Sequence, residues 1–403
     1  MILVIFVPDI GKPDLQESRL SQNELDKLKT TTAMSSTSRL YYIDNLRIFL
    51  ICLVVLLHFN ITYGAPGDWY YNESEAGMPE MIIQAMFNIT NQAFFMGMFF
   101  FISAYFTAAS IKRKTTGRFL KDRLVRLGIP LLVFYFFLNP LTNFIHYYFI
   151  KHEAVTFLGF LGNQRARGFG PLWFVETLLI FTLIYLPISR LKWNIKMNFP
   201  GTGKLVLGAF IVGLSQYIIR LWLPVGWSLP HTGLQFPFFV QYIVMLVFGV
   251  IAYNNNWLEA ISVKSAKRWF IFAQLMIWIA LPVVLYFGGK ERGIEAFVGG
   301  ATWQSFVWAI WEQLVCVAMI IGLFGLAKRY FNKQGVLAQQ LSGSAYGVFI
   351  FHAPIIVALS ALFVGWQNIN QLLKLIVLAP VALTVCFALA WLIRLVPGVK
   401  KVV

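Results

Sequence analysis

Charged residues are scarce in this chain of 403 residues, at 12% of the sequence, whereas hydrophobic residues make up 58%. A soluble domain carries about a quarter charged residues, so the deficit excludes an ordinary soluble protein. Acidic residues are outnumbered by basic ones, 17 to 33. A formal charge of +16 can indicate nucleic-acid binding, but the basic residues cluster in short segments between apolar runs, as in membrane proteins. We therefore expect a multi-pass membrane protein without a nucleic-acid partner.

Cysteine is also rare. The three cysteines, Cys52, Cys316 and Cys386, each stand alone inside an apolar run. Such isolated positions exclude a disulfide framework, and none has the paired spacing of a metal-binding motif. We expect these cysteines to pack as small buried side chains, and we predict no metal.

Long apolar runs are what the sequence has in abundance. Ten runs are long enough to cross a bilayer as helices. They cover approximately residues 46–63, 85–110, 127–150, 172–190, 204–222, 235–253, 269–288, 303–327, 344–365 and 374–396. The predicted fold class is therefore all-α, with about ten transmembrane helices in a membrane domain over residues 39–403. Residues 1–38 are a polar tail that we expect to be disordered, and Met34 is an alternative start to Met1.

The distribution of lysine and arginine predicts the orientation of these helices. Basic residues follow every second run, and the segment after the second run holds seven of them between Lys112 and Arg126. The alternate segments are sparse, since the one after the seventh run has only Lys290 and Arg292. The positive-inside rule then places both termini in the cytoplasm. We expect a multi-pass protein of the cell membrane, bacterial inner or plasma membrane.

Arg47 and His58 are eleven positions apart at either end of the first run. Ionisable residues inside a membrane are costly and mark functional sites by default. Eleven helical steps place both side chains on one face, roughly 16 Å apart along the axis. A histidine hydrogen-bonded between helices is the structural alternative. The charged cluster that Asp44 forms with Arg47 at the start of the helix favours a functional site, with Arg47 at the cytoplasmic edge and His58 toward the outside.

Among the other ionisable residues within the runs, we single out Glu176, Glu312 and His352. A carboxylate in hydrocarbon either neutralises or finds a partner. Either glutamate could orient His58 and stabilise its imidazolium, as the acid of a catalytic triad does. For both glutamates an interhelical hydrogen bond is the alternative. His352 is either an additional catalytic residue or a core side chain beside the kink at Pro354.

The basic segment between the second and third runs chiefly anchors the topology. Within it, the spacing of Arg123 and Arg126 places both on one helix face, and paired arginines can bind phosphate bidentately. Coenzyme A has a phosphate-rich head and a long arm that ends in a thioester. A head held by Arg47 and this segment could therefore extend its arm inward to His58.

The same residues resemble the acyltransferase-3 family of integral membrane O-acyltransferases, over roughly residues 39–403. Within that family the pattern is similar to a glucan-biosynthesis protein C-like subgroup, which decorates periplasmic glucans with acyl groups. The chain departs from the family at Gly97, where many relatives have an aspartate, and at Ala104, where glycine is usual. Five motifs in the family's order carry the resemblance: Tyr42–Arg47 with His58, Phe99–Ala104, Arg123–Pro130, Leu172–Phe174 and Phe349–Pro354.

The resemblance implies an acyltransferase for groups other than aminoacyl groups, with acyl-CoA as donor. It implies His58 as the essential catalytic residue and Arg47 as its partner in donor binding. We expect an acetyl or succinyl group to move to a hydroxyl of an extracytoplasmic carbohydrate, or of another acceptor, in contact with membrane lipid. The alternatives are a transporter or exporter without acyl transfer, since intramembrane ionisable residues also mark substrate pathways, and a structural or sensory membrane protein.

Overall fold

The structure is a computed structural model that describes residues 39–73, 77–163, 166–191, 195–230, 232–366 and 369–402. The predicted tail, with Met34, lies outside the described residues. Residues 41–403 form one compact unit. Within its described part the regular structure is helical and includes no strand.

Ten helices of the described chain are long enough and apolar enough to cross a membrane, which confirms the predicted fold class. Most extend a few residues beyond the predicted run, because the helix continues into the polar interface at its ends. Their bounds are α1 Tyr41–Thr62, α2 Pro79–Arg113, α3 Thr116–Ile150, α4 Gly170–Leu191, α5 Thr202–Arg220, α6 Phe236–Asn254, α7 Val263–Arg292, α8 Trp303–Tyr330, α9 Val336–Leu362 and α10 Gln371–Leu395.

Four helices form the centre of the bundle. In α1, α2, α8 and α9, between 61% and 72% of the most apolar stretch is buried, against 17% in α5 and α7. The helix α1 packs against α2, α8, α9 and α10, whereas α5 and α7 pack against α8 from the outside. His58, Glu312 and His352 all belong to the central helices, where Glu312 and His352 are buried and His58 is half-buried.

The helices α3 and α7 contain π-helical turns next to prolines. Each of three π-helical segments, Leu124–Gly128, Phe134–Leu138 and Met276–Ala280, ends two residues before a proline. Proline has no amide hydrogen, and its ring clashes with the carbonyl four residues earlier. A wide turn at that place relieves the clash and lets α3 and α7 continue across the membrane.

The two sides of the bundle differ in charge. The side that carries the segment Lys112–Arg126, where α1 and α3 begin, is called the basic side. The opposite side carries the loop Tyr63–Glu73, which follows α1. The charge pattern predicts that the basic side faces the cytoplasm, and the orientation of the termini stays a prediction.

Candidate active site

His58 lies one turn before the end of α1, on the opposite side of the bundle from Arg47. Its imidazole is stacked against two other rings. The indole of Trp69 is 4.1 Å away between ring centroids, with 24° between the planes, and the imidazole of His352 is 5.1 Å away at 29°. Trp69 and His352 are themselves 6.0 Å apart. The three nearly parallel rings come from a helix, a loop and a second helix, and we call them the ring cluster.

The loop Tyr63–Glu73 folds back over the end of α1 and so brings Trp69 onto His58. The amide of Glu73 donates to the carbonyl of Thr62 at 2.9 Å, which closes the loop on itself. The Gln84 side chain of α2 donates to the carbonyl of Tyr63 at 2.9 Å. Backbone groups that would otherwise be buried without a partner are thereby satisfied. The loop is consequently a fixed part of the site.

Two side-chain contacts fasten the same loop to the bundle. Lys374, fully buried in the first turn of α10, binds both carboxylate oxygens of Glu73, at 2.6 and 2.8 Å. The Tyr70 hydroxyl donates to the side-chain oxygen of Asn139 in α3. Burial raises the pKa of Tyr70, so its hydroxyl keeps the proton that this contact needs. Trp69 lies next to these two anchors, which fix its position against His58.

His352 enters the ring cluster in one defined tautomer. Its Nδ1 lies 2.8 Å from the carbonyl oxygen of Phe349, one turn earlier in α9. A carbonyl can only accept, so Nδ1 carries the proton and Nε2 is left as an acceptor. That Nε2 is buried and has no hydrogen-bond partner among the described residues.

Three ring nitrogens of the cluster are buried without a hydrogen-bond partner among the described residues. The Nδ1 of His58 and the Nε1 of Trp69 are also buried without a partner in the described part of the chain. Buried polar atoms are nearly always hydrogen-bonded in native proteins, and exceptions often indicate a functional site. Two imidazoles and one indole N–H that meet inside a membrane protein can accept hydrogen bonds from a bound polar molecule and donate hydrogen bonds to it.

Aromatic side chains continue the wall of the site from His352 toward α4 and α2. Phe349 lies 5.8 Å from His352 and 5.7 Å from Phe174, which in turn contacts Phe100 at 4.7 Å. These residues belong to three of the predicted motifs, those at 349–354, 172–174 and 99–104. The fold therefore brings these distant motifs to one place.

Glu176 lies two residues after Phe174, in the first turn of the α-helical part of α4, which begins at Trp173. A negative side chain is favourable at this end of a helix. One of its carboxylate oxygens is buried without a hydrogen-bond partner among the described residues. This oxygen can therefore accept a hydrogen bond that the described chain does not supply. Glu176 lies on the same side of the bundle as the ring cluster.

Glu312 belongs to a separate buried network at the interface of α5 and α8. One of its oxygens lies 2.7 Å from a guanidinium nitrogen of Arg220 and accepts from Gln216 at 2.8 Å. The other oxygen accepts from the indole N–H of Trp308 at 2.8 Å. Gln313 donates to Gln216 at 2.8 Å and extends the network. Both oxygens of Glu312 are therefore occupied by these partners.

Arg47 lies at the basic side of α1, in the first third of the helix. Its guanidinium is 3.5 Å from the carboxylate of Asp44 one turn earlier, and 37% of its side chain is exposed. The helix is uninterrupted from Tyr41 to Thr62, so Arg47 and His58 share a face about 16 Å apart along it. Arg47 is thus anchored by Asp44 and still accessible from the basic side.

Arg123 and Arg126 lie in different environments. Arg123 is partly buried, donates to the hydroxyl of Thr107 at 2.8 Å, and lies over the ring of Phe119. Arg126 is exposed. Its carbonyl accepts from the hydroxyl of Tyr346 at 2.6 Å. Because Tyr346 is on α9 with His352, this contact connects the basic segment to the helix that enters the ring cluster.

The structure also explains the departures at Gly97 and Ala104. A β-carbon at Gly97 would lie 3.2 Å from the sulfur of Cys316 and 3.4 Å from the Gln241 side chain. An aspartate at this position would therefore need the neighbouring helices to move apart. Ala104 lies against Gly249 of α6. A β-carbon added to Gly249 would lie 2.8 Å from the β-carbon of Ala104. Close packing of α2 against α6 and α8 occupies the space that an acid would need.

The sequence analysis did not single out some residues of the site and of the Glu312 network. Lys374 and Arg220 lie at the ends of predicted runs, so the rule that intramembrane charges mark special sites would have found both. Trp69 offers no such signal, because its role depends on how the loop folds back.

Comparisons with known proteins identify the family of the chain. A family model described as an acyltransferase domain matches residues 40–393. The proteins that the chain resembles include Glucans biosynthesis protein C of Escherichia coli strain K12, of strain HS of serotype O9:H4, and of strain SMS-3-5. Each is 22% identical over 332 residues, which cover 79% of this chain and 82% of the relative. No solved structure gives a significant match.

Proposed function

The chain belongs to the acyltransferase family whose domain model spans it, and we propose that it moves an acetyl or succinyl group from cytoplasmic acyl-CoA to a hydroxyl of an extracytoplasmic carbohydrate. It is a multi-pass membrane enzyme that transfers acyl groups. The donor, the acyl group and the acceptor are the proposed parts. The E. coli relatives named for glucan biosynthesis support a carbohydrate acceptor, and the cell membrane is the proposed location.

The observation that carries the proposal is the ring cluster, in which three buried nitrogens have no hydrogen-bond partner in the described part of the chain. A structural histidine would have its ring nitrogens satisfied by neighbouring helices. Here the fold places a loop over His58, and the three nitrogens still lack partners among the described residues. A bound hydroxyl compound would supply those partners.

His58 acts as the general base in the proposed reaction. Its neutral imidazole accepts the proton of the acceptor hydroxyl while the hydroxyl oxygen attacks the thioester carbonyl. The carbon–sulfur bond then breaks, the new ester leaves, and the coenzyme A thiolate takes the proton from the imidazolium. Acceptor and acyl-CoA thus give ester and free coenzyme A, and His58 returns to its neutral form. A covalent acyl-histidine relay is the alternative route at the same residue.

His352 and Trp69 hold the carbohydrate in this proposal. The Nε2 of His352 accepts a hydrogen bond, because the proton of this imidazole is on Nδ1, which donates to Phe349. The indole N–H of Trp69 donates a hydrogen bond. A sugar offers neighbouring hydroxyls that satisfy both kinds of group. One hydroxyl therefore reacts at His58, while adjacent ones bind His352 and Trp69.

Glu176 and Glu312 have different roles in this account. Glu176 keeps a buried oxygen without a partner in the described chain, which suits a hydrogen bond from the carbohydrate. Glu312 is held by Arg220, Gln216 and Trp308. We therefore assign Glu312 to the stability of the bundle.

The donor enters from the basic side. Arg126 is exposed and Arg47 is accessible beside Asp44, so both suit the phosphates of coenzyme A. Arg123 holds α3 against Thr107 of α2 and positions Arg126 in the same segment. The arm of coenzyme A then follows the face of α1 that leads from Arg47 to His58.

The test is acyl transfer by the purified full chain in proteoliposomes. Acetyl- and succinyl-CoA, each labelled in the acyl group, are supplied on the basic side, and a glucan is supplied on the other. Label on the glucan supports the proposal and identifies the acyl group. Movement of unmodified glucan without label would support a transporter instead.

A further inference from the structure

A groove between α2, α4 and α6 opens near the basic side of the bundle, away from the ring cluster. Its cavity has a volume of about 700 Å³, which lies within the range of ligand pockets, roughly 300–1,000 Å³. Aliphatic side chains from all three helices line it, including Ile111, Ile184, Leu246 and Val250. The walls therefore suit a hydrocarbon chain.

The groove is open sideways, along helices that cross the membrane. Ile184, Ile243 and Val247 line it and are 54%, 47% and 45% exposed. They belong to α4 and α6, both of which have strongly apolar stretches. In the bilayer these exposed faces meet lipid tails, so a ligand can enter from the membrane without passing through water.

The basic end of the groove carries polar and basic side chains. Lys112, Ser189 and Asn254 form the rim there. Arg190 and Lys196, both exposed, neighbour the lining residues Ser189 and Ile195 in sequence. The described lining includes no aspartate or glutamate. The rim is therefore positively charged beside an apolar slot, which is complementary to an anionic headgroup above an acyl chain.

We propose that this groove binds one anionic phospholipid from the leaflet on the basic side. One acyl chain occupies the slot between α4 and α6, and the phosphate lies beside Lys112. Each basic residue near an anionic lipid surface strengthens binding about fivefold, so the rim selects headgroup charge and the slot provides the hydrophobic contact.

The inner end of the groove leads toward the contact between Arg123 and Thr107. A second, narrower cavity shares Phe181 and Tyr185 with the groove and is lined by Thr107 as well. The Thr107 hydroxyl accepts from Arg123 of α3. A lipid in the groove is thus separated from the contact between Arg123 and Thr107 by this second cavity. The proposal does not depend on the acyl-transfer reaction.

The test measures lipid binding to the delipidated full chain in detergent by native mass spectrometry. Phosphatidylglycerol and phosphatidylcholine with identical chains serve as probes. We expect one tightly bound phosphatidylglycerol and weaker binding of phosphatidylcholine. The variant Lys112→Gln should lose about fivefold of its phosphatidylglycerol affinity with phosphatidylcholine unchanged, whereas Val247→Trp, which fills the slot, should weaken both lipids.

Matched controls lie outside the groove. Ile271→Trp adds the same indole to an exposed position of α7, and Lys264→Gln removes a charge from an exposed position of the same helix. Both controls should bind lipid as the unmodified protein does. Equal binding of the two lipids, unchanged binding in Val247→Trp, or displacement of phosphatidylglycerol by stoichiometric acyl-CoA would each overturn the proposal. Since Lys112→Gln changes only a rim side chain, it also decides the question if Val247→Trp fails to fold.

Discussion

The imidazole rings of His58 and His352 lie 5.1 Å apart, stacked at 29°, although they come from the first and ninth spanning helices. The Nδ1 proton of His352 is fixed by the carbonyl of Phe349, so the ring presents an acceptor nitrogen to the site. In the proposed reaction, His58 takes a proton and the stacked His352 orients the substrate.

The variant His352→Phe tests the orienting role. It keeps an aromatic ring beside His58 but removes the Nε2 acceptor. A single net hydrogen bond contributes ~1.5 kcal/mol at most between neutral groups, so kcat/KM for the acceptor should fall about tenfold, chiefly through KM. The KM for acyl-CoA should not change. Steady-state kinetics with each substrate varied in turn checks this, and an effect on the donor KM alone would contradict it.

The pair Glu73–Lys374 should be needed for the loop that carries Trp69. Lys374→Met leaves the carboxylate of Glu73 buried without its partner, and breaking a buried pair from one side costs about 3–5 kcal/mol. We expect a lower melting temperature, faster proteolysis within residues 63–73, and reduced acyl transfer. The double variant Glu73→Leu/Lys374→Met removes both charges and should recover most of the stability.

An exposed ion pair provides the control for that experiment. Lys114 and Asp122 are 2.6 Å apart, but their side chains are 36% and 42% exposed. Because exposed pairs add little to stability, Lys114→Met should leave the melting temperature and the loop unchanged. A loss as large as that of Lys374→Met would show that the effect is not specific to the buried pair.

Glu312 should act on stability more than on catalysis. Glu312→Gln keeps the size of the side chain but leaves the buried guanidinium of Arg220 without its counter-charge, which costs about 3–5 kcal/mol. The melting temperature should fall clearly, whereas kcat per folded molecule should stay within a few-fold. Thermal unfolding and activity on the same preparation separate the two. A fully folded variant without activity would return Glu312 to the candidate partners of His58.

Substitution of Arg126 should weaken acyl-CoA binding more than substitution of an exposed lysine elsewhere. Arg126→Ala removes a charge-assisted contact to phosphate, a contact of about 1.5–3 kcal/mol, so the KM for acyl-CoA should rise by at least about tenfold with the acceptor KM constant. Arg47→Ala should act in the same direction. Lys264→Ala is the control on the same side of the bundle. Equal effects of all three substitutions would indicate a general influence of surface charge.

The sequence predicted those features that depend on local pattern. The ten apolar runs correspond to ten helices of the described chain. Arg47 and His58 share one helix face, as their eleven-residue spacing predicts, because α1 is uninterrupted. Both properties follow from hydrophobicity and helix geometry within one segment. The family resemblance was confirmed by the match over residues 40–393.

Features that depend on distant contacts could not be predicted. The loop that brings Trp69 to His58 is held by the contacts of Glu73 with Lys374 and of Tyr70 with Asn139, pairs that are far apart in sequence. For Glu312 the sequence left open whether the partner was His58 or another helix, and the structure supplies Arg220. Such pairings are set by how the helices pack, which one sequence does not reveal.

The most direct test of the account is the amount of labelled glucan formed by His58→Ala in proteoliposomes. His152→Asn, in an exposed position of the segment after α3, is the matched control, and asparagine tolerates the left-handed backbone found there. A general base contributes ~10²–10⁴ to the rate. We predict that His58→Ala is folded and inserted but loses activity by that factor, while His152→Asn keeps it. Full transfer by a folded His58→Ala variant would contradict the central claim.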